Sequence, residues 1–229
     1  MKPLKRKQFA LLLVVFSLAL TAAATSGQTL PDVHFIEGVV GRGQALPLSC
    51  ESRSATDLAR FWGIKFHELA FFNSLPSSDN PEKGFVGSVY GVWGQTPPKP
   101  YGVHARPVAN NLRKYGLAAR AHYGMTLEEL KFEIANDRPV VVWVVGRVWK
   151  GTPISYIAED GHEVTVARYE HTMLAYGYDK AGIYLIDAGS GLKKNYSYKT
   201  FMASWDVLGN MAVTATGLIP DMQDYPFDW

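Results

Sequence analysis

The chain has 229 residues, 47% hydrophobic and 13% aromatic, with 23 Lys and Arg against 21 Asp and Glu and a formal net charge of +2. Four of the positive residues, Lys2, Lys5, Arg6 and Lys7, stand ahead of an apolar run, so the rest of the chain is near −2 (2 − 4), which leaves no electrostatic case for nucleic acid. The single cysteine, Cys50, excludes an internal disulfide, and the aromatic content without any low-complexity segment or repeat excludes a disordered chain.

From the amino terminus, the basic residues lead into an apolar run from Phe9 to Leu20 that ends in Thr21-Ala-Ala-Ala24. That order is the pattern of an export signal, so residues 1–24 are expected to be a signal peptide or an uncleaved anchor. The protein is then secreted or extracytoplasmic, and residues 25–229 form one domain of about 205 residues, enough for a sizeable core.

Residues 50–62 predict a first helix, with Ser49 as cap, an apolar stripe of Ala55, Leu58, Ala59 and Trp62, and Gly63 as the stop. A second, short helix is expected over 65–73. Residues 76–107 are dense in Gly and Pro yet carry Phe85, Val86, Tyr90, Trp93 and Tyr101, which predicts a long ordered loop and not a linker. Helices follow at 107–115 and at 126–136, the latter opened by the capping pattern Thr126-Leu-Glu-Glu129. Strands are expected at 139–145, 154–158, 163–169, 171–176, 183–187 and 211–219, and the tail 221–229 has no assignment. Helices first and strands later indicate an α+β domain.

A hairpin symmetric about Asp179 would set His171 directly opposite Asp187, Met173 opposite Leu185 and Ala175 opposite Ile183, each pair on one face. A carboxylate bound to one imidazole nitrogen fixes the tautomer and leaves the other nitrogen as a base. Cys50 at a helix start gains thiolate character from the unpaired N–H groups there, and more from a nearby protonated imidazole. Gln44, six residues before it, carries an amide that could donate to an oxyanion together with the Cys50 backbone N–H.

Gln44, Cys50-Glu51, His171 and an Asp 16 residues further on resemble the papain-like cysteine peptidases related to bacteriocin double-glycine leader peptidases, in their stand-alone form. The segment Leu75-Pro-Ser-Ser-Asp-Asn-Pro-Glu-Lys-Gly-Phe-Val-Gly87 is similar to a loop of that group. The resemblance implies a papain-like fold, with the nucleophile at a helix start in an amino-terminal helical part and the His and Asp on a carboxy-terminal antiparallel sheet. It implies Cys50 as nucleophile, His171 as base, Asp187 as orienting acid and Gln44 at the oxyanion. Many relatives have Gly after the cysteine and Pro after the aspartate, where this chain has Glu51 and Ala188. The chain has no G-x-x-x-x-G-K-[ST] loop, so no ATP is expected, and no cofactor or metal.

Other clusters have plainer readings. Asp160-Gly-His162-Glu163 reads as a solvated turn, His67-Glu68 lacks the second histidine of a zinc helix, and His104 reads as a satisfied loop histidine. Tyr90, Trp93 and Tyr101 are candidates for a substrate-binding wall. The resulting expectation is an exported cysteine peptidase acting on peptide or protein substrates, with a non-catalytic module binding peptide or cell-wall polymer, or a thiol acyltransferase, as alternatives.

Overall fold

A computed structural model describes residues 29–220; the expected signal at 1–24 and the tail at 221–229 lie outside the described residues. The elements run β1 (His34–Phe35), α1 (Cys50–Phe61), α2 (Glu68–Asn73), α3 (Ala105–Lys114), β2 (Leu117–His122), α4 (Leu127–Ala135), β3 (Val140–Val145), β4 (Ile154–Ile157) and β5 (Glu163–Val166). They continue with β6 (Glu170–Tyr178), β7 (Gly182–Asp187), β8 (Lys193–Ser197), α5 (Tyr198–Trp205) and β9 (Ala212–Leu218).

The main sheet is antiparallel throughout, in the order β2-β9-β3-β6-β7-β8, with β1 pairing Gly177 and Tyr178 of β6 beyond the end of β3. β3 is the apolar run Val-Val-Val-Trp-Val-Val, and like β6 it is buried along its whole length because helices cover the sheet. The Thr126–Glu129 capping box forms as its sequence pattern predicts. β2 and β8 were not expected from the sequence: their Ala, Arg and Lys content lacks the β-branched signature, and they are held by pairing with β9 and β7.

α1 is the central helix, and its residues Cys50–Ala59 are all buried, including Glu51, Ser52, Arg53, Ser54, Thr56 and Asp57. Burying so many polar groups is tolerable only if they are bonded. Arg53 bridges Asp57 at 2.6 Å and Glu68 of α2 at 3.2 Å, Ser54 meets Thr172 of β6 at 2.9 Å, and Thr56 bonds the Ser52 carbonyl. On the apolar side, Leu58 packs in one core with Phe71 of α2 and Leu112 of α3, all fully buried and each contributing about 2 kcal/mol on burial. Ser49 does not cap α1 as expected; its hydroxyl donates to Glu68 Oε1 at 2.5 Å and accepts the Leu46 N–H at 3.0 Å. Glu68 also accepts the Ala45 N–H, so the turn before Cys50 is tied to α2.

The 76–104 segment is ordered by its own bonds, including Val86 N–H to the Gly102 carbonyl and Tyr101 N–H to the Val86 carbonyl. The β4–β5 hairpin lies against it, with Val164 and Val166 packed on Val86 and Tyr101. No helix among the described residues is long and apolar enough to cross a membrane.

Candidate active site

The β6–β7 pairing corrects the expected register. Asp187 stands opposite Met173, Leu185 opposite Ala175 and Ile183 opposite Tyr178, with a bulge between Ala175 and Gly177. The slip from the symmetric hairpin is two residues at Asp187, so the parity of the strand, and hence the face, is kept. His171, diagonal to Asp187, still meets it: Nε2 lies 2.8 Å from Oδ1. Asp187 accepts also from Gly189 N–H at 2.9 Å and Ser190 Oγ at 2.7 Å. Burial works to raise its carboxyl, but the bonds from His171, Ser190 and Gly189 outweigh it and hold Asp187 well below the usual carboxylate range. Ionised, it accepts Nε2–H and leaves Nδ1 of His171 as the unprotonated nitrogen.

Because β7 pairing ends at Met173, the residues Glu170–Thr172 run past the end of β7, and α1 fills the space beside them. Cys50, the first residue of α1, is buried there at the edge of a cleft of about 380 Å³ that it shares with His171, Asp187 and Gln44. Backbone bonds draw these segments together: Gln44 N–H donates to the Ala188 carbonyl at 2.7 Å, and Leu48 N–H to Val89 at 3.0 Å.

The thiol is not in the state expected of a helix start. Its Sγ donates to Glu51 Oε2 at 3.2 Å. Burial, then the charges of Glu51 and Glu170 and the bond to Glu51, push the thiol well above its ordinary value, against a lowering from the Thr172 N–H. Glu51 itself is raised from 4.5 to about 7, chiefly by burial, although its own N–H, the Val103 N–H and the thiol bond it. Glu170, on β6 next to His171, is raised well above the carboxylate range by burial and by the charge of Glu51. The sequence offers Glu51 only as part of the Cys50-Glu51 motif, and gives Glu170 no role. The available signal was a Glu ahead of His171 in a strand otherwise apolar enough to be buried on both faces. The described residues hold no other group of three thiol, imidazole or carboxyl donors this close, within 4.8 Å of one another, and neutralising it falls to protons or to a cation.

Gln44 reaches the cleft, with both amide hydrogens given to the Leu46 and Pro47 carbonyls at 2.8 Å and its Oε1 buried without a partner among the described residues. Trp93 and Tyr101 line the cleft, whereas Tyr90 is 72% exposed and stands outside its lining. Trp93 packs edge-on to His171 at 6.1 Å and its Nε1–H donates to the Glu170 carbonyl at 3.0 Å. Two aromatics not singled out from sequence, Trp149 and Tyr169, complete a cluster with Trp93, their centroids 5.2 to 5.8 Å apart. The turn carrying Trp149 holds Val148 at φ 63°, a strained value for a β-branched residue. His104 is satisfied by Glu82 at 2.6 Å, and Asp160 pairs with Lys83 in the hairpin turn, as their plainer readings had it.

The chain matches the model of the Peptidase_C39 like family over residues 37–213. Among solved structures it is similar to a candidate C39-like peptidase from Bacillus anthracis, with a TM-score of 0.71 and 22% identity over 81% of this chain and 98% of that one. It is also similar to xylellain, a cysteine protease from Xylella fastidiosa, with a TM-score of 0.45 and 11% identity over 83% of this chain and 87% of that one. No curated protein matches it.

Proposed function

Since this chain belongs to the Peptidase_C39 like family, and family and fold make it a cysteine peptidase, we propose that it is an exported enzyme that hydrolyses peptide bonds through Cys50, His171 and Asp187. His171 Nδ1 takes the thiol proton, the Cys50 sulfur adds to the scissile carbonyl, and the imidazolium returns the proton to the leaving amine. A thioester links Cys50 to the acyl half of the substrate. Water, deprotonated by the same imidazole, then attacks the thioester, and the proton goes back to the sulfur. Asp187 holds the ring in the tautomer that keeps Nδ1 free and stabilises the imidazolium.

The developing oxyanion is met by the Cys50 backbone N–H at the start of α1 and by the Gln44 amide, one of whose hydrogens leaves the Leu46 or Pro47 carbonyl to do so. Trp93 and Tyr101 form the wall against which the substrate lies; Tyr90 lies outside it. The observation that carries this reading is the His171–Asp187 hydrogen bond on the same cleft as a cysteine at a helix start. Incubating a peptide library with the parent and with Cys50→Ala, each shown to be folded, tests it: cleavage by the parent alone supports it, and equal cleavage by both sinks it.

A second reading has an observation of its own. The Cys50 proton is held by Glu51 in a buried position, as in a module that binds peptide or cell-wall polymer without turnover. That reading requires binding without cleavage, and binding unchanged in Cys50→Ala. Transfer of the acyl group to an amine uses the same residues and is separated from hydrolysis by product analysis.

A further inference from the structure

Two buried carboxyls flank the thiol, and among the described residues no Lys, Arg or His pairs with either. Glu51 is 1% exposed; its Oε1 accepts the Val103 N–H at 2.6 Å and its Oε2 the Cys50 thiol. Glu170 is 3% exposed, and neither of its oxygens has a hydrogen-bond partner among the described residues. The two come together over Gly102: a Cβ built there would lie 2.3 Å from Glu51 Oε1 and 2.7 Å from Glu170 Oε2, so the glycine leaves the space in which they meet. None of the ion pairs among the described residues includes either carboxyl.

The groups that share their surroundings are Cys50 from α1, Tyr101 from the long loop, His171 from β6, and Arg147 and Asp187 on the cleft. Tyr101 OH meets the Ala167 N–H and His104, and Arg147 is exposed at the rim. Two adjacent buried carboxyls with no compensating cation cannot both ionise.

We propose that Glu51 and Glu170, whose carboxyl oxygens and the Cys50 sulfur lie within 4.8 Å of one another, are a pair that positions the thiol and sets its charge: together the two carboxyls keep one proton while the thiol proton passes to His171. This rests on Cys50 being the nucleophile. Loss of the shared proton places one more negative charge beside the sulfur, which then holds its own proton more tightly, so the pair turns the thiol off as pH rises. Neither Glu touches substrate; both act through Cys50, and the burial that raises their proton affinity also excludes the water that would otherwise screen the effect.

The test is the rate of iodoacetamide alkylation of the whole chain from about pH 5 to about pH 9, which reads the thiol whether or not peptides are cleaved. Glu170→Gln keeps the shape and leaves Glu51 as the one carboxylate beside the sulfur. It should alkylate like the parent while the parent's pair holds its proton and about tenfold faster once that proton is lost at higher pH, with the thiol midpoint about one unit lower. Superimposable curves for a folded Glu170→Gln protein would overturn the proposal. If that variant does not fold, the parent's infrared spectrum decides, because a protonated-carboxyl band near neutral pH is required and its absence overturns the pair. A curve that EDTA shifts would mean that a divalent cation balances the carboxyls, which also overturns it. A parent that cleaves no peptide but shows the Glu170→Gln shift would sink the peptidase reading and uphold the pair.

Discussion

His171 and Asp187 meet diagonally across β6 and β7, Nε2 to Oδ1 at 2.8 Å, and Asp187 is in turn gripped by Gly189 and Ser190. The carboxylate is therefore fixed by the turn after β7 independently of the imidazole it orients. Asp187→Ala should lower kcat/KM by about a hundredfold or more, chiefly in kcat, because the ring loses both its tautomer and its direction. Asp187→Asn, which can still accept Nε2–H through its amide oxygen, should retain more activity than Asp187→Ala. Steady-state kinetics on a cleaved peptide check the order, and an alanine variant at least as active as the asparagine one would contradict it.

Gln44 invites a comparison of an introduced charge with a simple truncation. Its two amide hydrogens satisfy the Leu46 and Pro47 carbonyls, so Gln44→Glu would set a carboxylate against two carbonyl oxygens, and Gln44→Ala would merely leave them unpaired. An oxyanion donor is worth about a hundredfold or more in kcat, and the alanine variant should lose about that with KM nearly unchanged. Gln44→Glu should in addition melt lower than Gln44→Ala. A thermal melt and kcat for both variants decide, and an alanine variant with full kcat removes Gln44 from the chemistry.

How much of this was legible in the sequence depends on how local the cause was. The Thr126 capping box and the buried run of β3 follow from neighbouring residues and could be read directly, whereas α1 starts at Cys50 without the Ser49 cap, its preceding turn held by Glu68 of α2. The pairing of β6 with β7 depends on a bulge at Tyr176, which no local pattern announces, yet the face of His171 survived because the slip was even. β2 is set by β9, almost 100 residues away, and its Leu-Ala-Ala-Arg-Ala-His sequence carries no strand preference of its own. Glu170 belongs with these non-local features: next to His171 it looked like any acid, and only the packing of α1 against β6 brings Glu51 to it.

Trp149 is 45% exposed, its ring tilted against Trp93 and edge-on to Tyr169 beside the cleft. Its ring touches the cluster, not the reacting atoms. Trp149→Ala should raise KM severalfold for substrates with large apolar or aromatic side chains and leave kcat near the parent's, since uniform binding is what it would remove. A fall in kcat at unchanged KM would mean that the cluster instead holds His171 through Trp93.

Stability should be greatest in mildly acid solution. Glu51 is raised to about 7 by burial, so between 4.5 and that value the folded chain binds more protons than the unfolded one, and stability falls as pH rises through this window. Glu170 acts in the same direction. Asp187, held below 3.8, does the reverse: the unfolded chain binds more protons, so its contribution is full above that value and is lost as pH falls. The Glu51 shift alone is worth on the order of 3 kcal/mol across its window. Urea unfolding at about pH 5 and about pH 8 measures the difference, and a protein more stable at the higher pH contradicts the assignment of these groups.

Gly102 separates backbone strain from crowding. It sits at φ +152°, and a Cβ there would fall within 2.7 Å of carboxyl oxygens of both Glu51 and Glu170. Gly63, at φ +87° after α1, has nothing within 4 Å of its would-be Cβ, so Gly63→Ala measures the cost of conformation alone, about 1 kcal/mol. Gly102→Ala should cost that and a further 1 to 3 kcal/mol or so, because the neighbours that must give way are buried and one of them is tied to the Val103 N–H and to the thiol. It should also move the Cys50 alkylation profile, which Gly63→Ala should leave alone. Equal unfolding midpoints for the two variants would mean that the carboxyls yield freely, and that the space over Gly102 is not what brings them together.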